Sequence, residues 1–170
     1  MPQLSYSRTQ PVGFPGMKSS AVDDTIVTGV SEETSADIPY GLFVAQGVNQ
    51  DGVKLPTLTT DLPKGISTQS HADHISYVGP NSGVVPYAPL NVTRQGRVYV
   101  NSEDAVTPAS KVFMRFAANG GNTQKGSIRG TTDTGCVEIY GAAFVGSCAA
   151  GGLVEIEVNL LTNKAFIDHG

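Results

Sequence analysis

The sequence predicts a mainly β protein: a single antiparallel β-sandwich or barrel-like domain with an extended N-terminal arm and long loops. Val, Ile and Thr number 19, 8 and 15 among the 170 residues, and Trp is absent. These β-branched side chains lose rotamer freedom in a helix but pack well on a pleated sheet. The 20 Gly and 10 Pro further disfavour long helices. No alternation of strands with helices appears, so a parallel doubly wound sheet is not predicted.

Eight segments have the pattern of short strands separated by turns. The last, 153–160, alternates most regularly, with its apolar residues at even positions facing inward. In 111–117 the same alternation places Met114 and Arg115 on opposite faces of a strand. The predicted strands are 25–30, 38–48, 53–56, 65–70, 83–90, 91–100, 111–117 and 153–160.

The segments between these strands carry turn residues. The sequence NQDG at 49–52 is a strong turn signal, because Asn, Asp and Gly tolerate positive φ. Short helices are predicted only near 71–75 and 102–106. Residues 117–135 form a long, polar, Gly-rich loop. Loops of this length are usually functional or disordered, so we expect this one to meet a partner at the surface.

The N-terminal residues 1–24 are predicted to form the arm, and residues 25–170 the β-rich domain. Prolines and glycines prevent regular structure in the arm, yet Tyr6, Phe14 and Met17 make it too apolar for a solvated tail. Two interpretations stay open: the arm becomes ordered on a partner, or it wraps back on its own domain.

The charge balance disfavours two classes of partner. The net charge is −4 with 15% charged residues, and phosphate contacts need clustered Lys and Arg, so no nucleic-acid partner is expected. No apolar run approaches the about 18 residues of a membrane span, and the first ten residues lack the apolar core of a secretory signal. We therefore expect a soluble protein made in the cytoplasm.

Three residues in the sequence SHADH suggest metal or acid–base chemistry: His71, Asp73 and His74. On a helix the two imidazoles would share a face, but a catalytic zinc needs a third ligand, and no HExxH motif is present. His169 lies next to the end of the sequence, where chains usually fray. Solvated turn histidines are the favoured interpretation, and no metal site is predicted.

Cysteine and serine chemistry is equally unsupported. Cys136 and Cys148 lie in no CxxC cluster, so reduced, partly buried thiols are favoured over a disulfide or a metal site. Neither GxSxG nor a phosphate-binding GxxxxGK[ST] occurs. Two acidic pairs are interpreted as solvated charge: Asp23 with Asp24, and Glu32 with Glu33. The sequence therefore predicts no catalytic residue and no cofactor, whereas its low charge content is typical of an interface core.

The order of several segments resembles the structural cement (decoration) proteins of tailed bacteriophages. The similarity extends over nearly the whole chain, and its motifs are turns and strands rather than catalytic signatures. The segments are GFPGM (13–17), IPYGLFVAQG (38–47), VKLP (53–56), GRVYV (96–100), VFMRFAANGGNTQKGSIRGTTDTG (112–135) and AGGLVEIEVNL (150–160).

This resemblance implies a non-enzymatic protein that binds the outer surface of the virion head and bridges neighbouring major capsid protein subunits. It further implies a small homo-oligomer, with a trimer favoured over a dimer. On this basis the expected contact residues are Tyr6, Phe14 and Met17 in the arm and Lys125 and Arg129 in the long loop.

Two other functions remain as alternatives at this point. One is a β-sandwich recognition module, such as a head fibre or glycan-binding domain, although sugar sites usually stack on aromatic faces and Trp is absent. The other is a hydrolase that uses His71, Asp73 and His74.

Overall fold

A computed structural model describes residues 13–19, 24–69 and 83–161. In these ranges the chain forms strands, turns and short bridges and contains no helix, so no helix there could cross a membrane. The mainly β prediction is confirmed. The strands are β1 (Thr25–Ser31), β2 (Ile38–Pro39), β3 (Phe43–Gln46), β4 (Gly52–Lys54), β5 (Pro63–Thr68), β6 (Gly83–Val84), β7 (Pro89–Asn101), β8 (Phe113–Arg115), β9 (Ile128–Arg129), β10 (Cys136–Glu138), β11 (Ala142–Phe144) and β12 (Leu153–Asn159).

Five strands close into a small barrel in the order β1-β4-β3-β5-β7, with β7 pairing back onto β1. Four of the five neighbouring pairs are antiparallel, and β1–β4 is parallel, with Val30 opposite Gly52. A ring with an odd number of strands cannot alternate direction all the way round, so one parallel pair is required. The barrel-like prediction is thus confirmed, with one pair parallel.

Strand β7 is long enough to belong to two parts of the molecule. Its first half pairs with β1 and β5 in the barrel, and its second half, from Gln95 to Asn101, pairs with β12. β11 then pairs with β12 and extends the same sheet to seven strands. Gly96 lies where β7 passes from one part to the other, with a φ of 129°. A Cβ there would collide with the Asp24 carboxylate, so this position requires glycine.

A second sheet, in the order β10-β8-β9, packs against the extension of the first. The apolar side chains form two clusters, one inside the barrel and one between the two sheets. The barrel cluster contains Ile38, Tyr40, Val44, Val53, Leu55, Val84, Leu90 and Val92. The larger cluster contains Phe43, Ile66, Val98, Val100, Val106, Val112, Met114, Ile128, Val137, Ile139, Phe144, Val154, Ile156, Val158 and Leu160.

The alternation predicted for 153–160 is confirmed, because its four even-numbered apolar residues are all buried. The alternation predicted for 111–117 is confirmed at β8, where Met114 packs in the larger cluster and Arg115 lies on the opposite face. Both faces are nonetheless buried, since Phe113, Met114 and Arg115 have at most 8% of their surface exposed.

Two loop predictions also change. The helix predicted for 102–106 is wrong, because this segment instead forms isolated bridges, Ser102 to Ile128 and Val106 to Cys148. The helix predicted for 71–75 lies outside the described residues. The predicted loop 117–135 contains the short strand β9, and its Ile128 is fully buried. The loop is therefore anchored at its middle by a core residue.

Candidate functional site

The arm docks on its own domain from Gly13 onward. The backbone N–H of Gly16 donates to the Tyr99 carbonyl at 2.8 Å, and the Tyr99 N–H donates to the Met17 carbonyl at 2.9 Å. The Ser19 N–H donates to the Arg97 carbonyl at 3.1 Å. These bonds add the arm to β7 as a short antiparallel strand. Of the two interpretations of the arm, residues 13–19 follow the one in which it wraps back.

The apolar anchors of the arm divide into two groups. Met17 is half-buried, whereas Phe14 keeps 41% of its surface exposed. Gly13 lies so close to the ring of Tyr99 that a Cβ would be 2.6 Å from the ring carbon Cδ2. Tyr6 lies outside the described residues. The described part of the arm is therefore fixed in place and presents Phe14 outward.

At the start and end of the long loop, five charged side chains form one connected group, which we call the charged cluster. Arg115 is its centre and has no exposed surface. Its Nε and one terminal nitrogen donate to the two Glu103 carboxylate oxygens at 2.7 Å each, and it donates to Asp133 at 2.8 Å. The cluster consists of Glu103, Asp104, Arg115, Arg129 and Asp133.

Arg129 joins the two sides of this cluster. It donates to Asp133 at 2.7 Å and to Glu103 at 3.4 Å, and its guanidinium lies 3.6 Å from Asp104. Asp104 also accepts hydrogen bonds from the backbone N–H of Gly130 at 2.7 Å and of Thr131 at 3.1 Å. These contacts hold the segment 129–133 onto the bend at 103–104.

The ionised forms of the cluster are mutually stabilised. The pKa of the Arg115 guanidinium is raised, chiefly by its hydrogen bonds to Glu103. The pKa of Asp133 is lowered, first by the hydrogen bond from Arg115 and then by that from Asn119. Burial pushes the pKa of Asp104 upward, but hydrogen bonds from Thr131 and Gly130 outweigh it, so the pKa is lowered. All three groups stay charged at neutral pH.

The two loop residues predicted to contact a partner have different surroundings. Arg129 is 13% exposed and points into the charged cluster, whereas Lys125 is half-exposed in the middle of the loop. The sequence could not distinguish them, because two of the three acidic partners of Arg129, Glu103 and Asp104, come from a distant bend, and only Asp133 is near it in the sequence. The two cysteines agree with the prediction of reduced, partly buried thiols. Cys136 and Cys148 are free and partly buried, and burial raises the pKa of both thiols.

Two carboxylates hold loops at the barrel: Glu32, one of the pair predicted to be solvated, and Asp61, for which the sequence predicts no role. Glu32 accepts hydrogen bonds from the backbone N–H of Val48 at 2.7 Å and of Asn49 at 2.8 Å. Asp61 accepts from the backbone N–H of Thr57 at 2.7 Å and of Leu58 at 2.9 Å. The predicted turn at 49–52 is confirmed, but its carboxylate partner lies 16 or more residues away and leaves no local signal.

The interpretation of the acidic pairs as solvated charge is therefore wrong for three of their members. Besides Glu32, Glu33 accepts a hydrogen bond from the Leu55 N–H at 2.8 Å, and Asp24 forms an ion pair with Lys18. Asp23 lies outside the described residues, as do His71, Asp73 and His74. Among the described residues, no group of three His, Cys, Asp or Glu side chains is arranged to hold a metal ion.

Comparisons with known proteins agree with this architecture. A family model described as structural cement protein (E217 gp24/Pam3 gp6) matches residues 2–159. A chain in the solved capsid of Myoviridae phage XM1 superposes with a TM-score of 0.64 at 16% identity, covering 95% of this chain and 97% of that one. The N base of head fiber gp8.5 of bacteriophage phi29 gives 0.42 at 11% identity, covering 85% and 98%. A search of curated proteins found no match. Since the family match extends over most of the chain, this protein belongs to the structural cement proteins of bacteriophages.

Proposed function

We propose that the protein binds the outer surface of the phage head and bridges neighbouring major capsid protein subunits, without catalytic activity. The family match over residues 2–159 is the observation that carries this proposal. The charged cluster supports the non-enzymatic part of this proposal. Its carboxylates are engaged by guanidinium groups and backbone N–H groups rather than poised for proton transfer.

Bridging explains how modest contacts stabilise a shell. A protein that binds assembled subunits but not separated ones stabilises the assembly by mass action. When one molecule or small oligomer engages several subunits, each further contact forms at high effective concentration, so overall affinity rises without stronger individual contacts. A homo-oligomer, with a trimer favoured and a dimer possible, fits this requirement.

The contact residues we propose are Phe14 and Met17 in the docked arm, Tyr6 ahead of it, and Lys125 in the long loop. Phe14 supports this assignment by its exposure next to rigidly held backbone. Arg129 serves this contact as a positioning residue, because it fixes the segment that follows it rather than facing outward.

The first test is the copy number of this chain per purified virion, measured by quantitative mass spectrometry against the major capsid protein. A ratio near one, or a simple fraction of one, is expected for a protein that covers the shell. A handful of copies would indicate a tail or receptor-binding part instead. Absence from the particle would contradict the proposal altogether.

Deletion of residues 2–12 tests the arm separately. This truncation keeps the hydrogen bonds that residues 16–19 form with β7, so we expect the protein to fold. We expect weaker binding to capsids that lack the protein, measured by co-sedimentation. Unchanged binding would show that the arm ahead of Gly13 makes no contact.

A further inference from the structure

Two loops at the barrel are held rigidly while they present aliphatic side chains to solvent. They are the turn 47–51, between β3 and β4, and the loop 55–62, between β4 and β5; together we call them the barrel tip. Val48 is 95% exposed, Leu58 57% and Leu62 54%. Isolated exposed aliphatics are ordinary, so the significance of these three lies in how their backbone is held.

The turn is fixed from inside by polar side chains. The carboxylate of Glu32 accepts from two consecutive backbone N–H groups, and the Gln46 carboxamide lies within hydrogen-bonding distance of four carbonyl oxygens, the shortest being that of Asn49 at 2.7 Å. Lys64 donates to the carbonyls of Gln50 at 3.3 Å and Gly52 at 3.1 Å. These bonds fix the backbone of the turn, whose four side chains from Val48 to Asp51 are all exposed, and Val48 is the apolar one among them.

The second loop repeats this arrangement and is joined to the first. Asp61 binds the N–H groups at 57 and 58, and Lys54 pairs with its other oxygen at 2.8 Å. The Gln46 N–H donates to the Leu62 carbonyl at 3.0 Å, so the strand end that leads into the turn also holds the loop. Both carboxylates have lowered pKa values: that of Glu32 chiefly through the Asn49 and Val48 N–H groups, and that of Asp61 because hydrogen bonds from Lys54, Thr57 and Leu58 outweigh burial.

We infer that the barrel tip is a preformed apolar contact that inserts into the surface of the capsid shell. Ordering a flexible loop on binding costs free energy, and a loop already held in its bound form avoids that cost. The inference deepens the proposed function and rests on it. The partner it names is an apolar depression on the major capsid protein.

The small area of the tip favours the shell over a second copy of this chain. Three aliphatic side chains cover roughly a few hundred Å², whereas a stable pairwise interface buries about 800 Å² on each partner. A tip against a tip would therefore not hold a dimer. On a shell the same contact is repeated and joined to others, so a weak contact contributes through avidity.

The test uses full-length protein and purified capsids of the encoding phage prepared without it, with affinity measured by co-sedimentation. We expect the double variant Val48→Asp/Leu62→Asp to bind at least tenfold more weakly than wild type. The matched control Ala143→Asp/Ala149→Asp adds the same two charges at exposed sites in the other half of the molecule and should stay within twofold. If the aspartate variant fails to fold, Val48→Ala/Leu62→Ala replaces it.

A third variant, Glu32→Gln, tests preorganisation alone. It leaves Val48 exposed but removes the charge that holds the turn, so we expect binding several-fold weaker than wild type with an unchanged circular dichroism spectrum.

If the Val48/Leu62 variants bind capsids as well as wild type does, the inference is overturned and the proposed function is left intact. If these variants bind capsids normally but no longer self-associate, as measured by light scattering, the tip contacts a second copy of the chain. That result would also overturn the inference. Failure of the wild-type protein to bind capsids would refute the proposed function itself.

Discussion

The charged cluster and the barrel tip both use carboxylates to hold loops, but they put different groups at the surface. In the charged cluster the carboxylates face guanidinium groups, and the centre of the network, Arg115, is completely buried. In the barrel tip the carboxylates face backbone N–H groups, and aliphatic side chains point outward. The first arrangement is suited to stability, because its charges satisfy each other. The second is suited to contact, because it leaves an apolar surface on a rigid backbone.

Arg115→Met should give the largest effect on stability. The substitution removes the only completely buried cation among the described residues and leaves Glu103 and Asp133 with Arg129 as their one remaining cation in the cluster. Breaking a buried ion pair in this way typically costs about 3–5 kcal/mol, and we expect a loss of that order in urea denaturation. Arg115→Lys keeps the charge but not the two-point contact, so its loss should be smaller. A Met variant as stable as wild type would show that the cluster is not a structural centre.

Acid should destabilise both regions for the same reason, because each contains carboxyl groups whose pKa is lowered by folding. The pKa values of Glu32, Asp61, Asp104 and Asp133 are all lowered in the folded protein. Their stabilisation is present above the unfolded carboxyl pKa of about 4 and is lost as pH falls through the lower folded values. We therefore expect thermal stability to be flat above about pH 5 and to fall below pH 4. Stability that is unchanged between pH 5 and pH 3 would contradict these shifts.

Asp61→Asn sharpens the comparison at the barrel tip. The amide oxygen can still accept from the Thr57 or Leu58 N–H, but the ion pair with Lys54 is lost. A hydrogen bond to a charged group is worth more than one to a neutral group, so we expect a loss of about 1 kcal/mol in urea denaturation together with weaker capsid binding. A change in stability with no change in capsid binding would separate Asp61 from the contact surface.

Glu157→Gln should give the smallest effect and serves as the reference for both regions. Glu157 accepts from Arg97 at 2.7 Å, but both side chains are about half exposed. Exposed ion pairs contribute about 0–1 kcal/mol because water screens them and both side chains lose freedom. We expect no more than about 0.5 kcal/mol by urea denaturation. A larger loss would mean that ion pairs on this face act as a network.

The strand pattern and the turn chemistry were accessible from the sequence. The alternation in 153–160 predicted its buried face correctly, because one face of β12 packs on the core and the other meets solvent. At 111–117 the same rule correctly put Met114 and Arg115 on opposite faces, but it could not tell that the face of Arg115 is buried as well. Alternation reports only one-sided burial, so a strand buried on both sides gives no such signal.

The sequence by itself thus determined a β-rich domain, a turn at 49–52 and a family whose members are structural proteins of phages. Tertiary structure decided which charges are structural. Glu32 reaches a turn 16 residues away, and Arg115 meets acidic groups 12 and 18 residues away. These partners become neighbours only when the barrel closes and the second sheet packs, because local pattern rules describe strands and turns but not which strands meet.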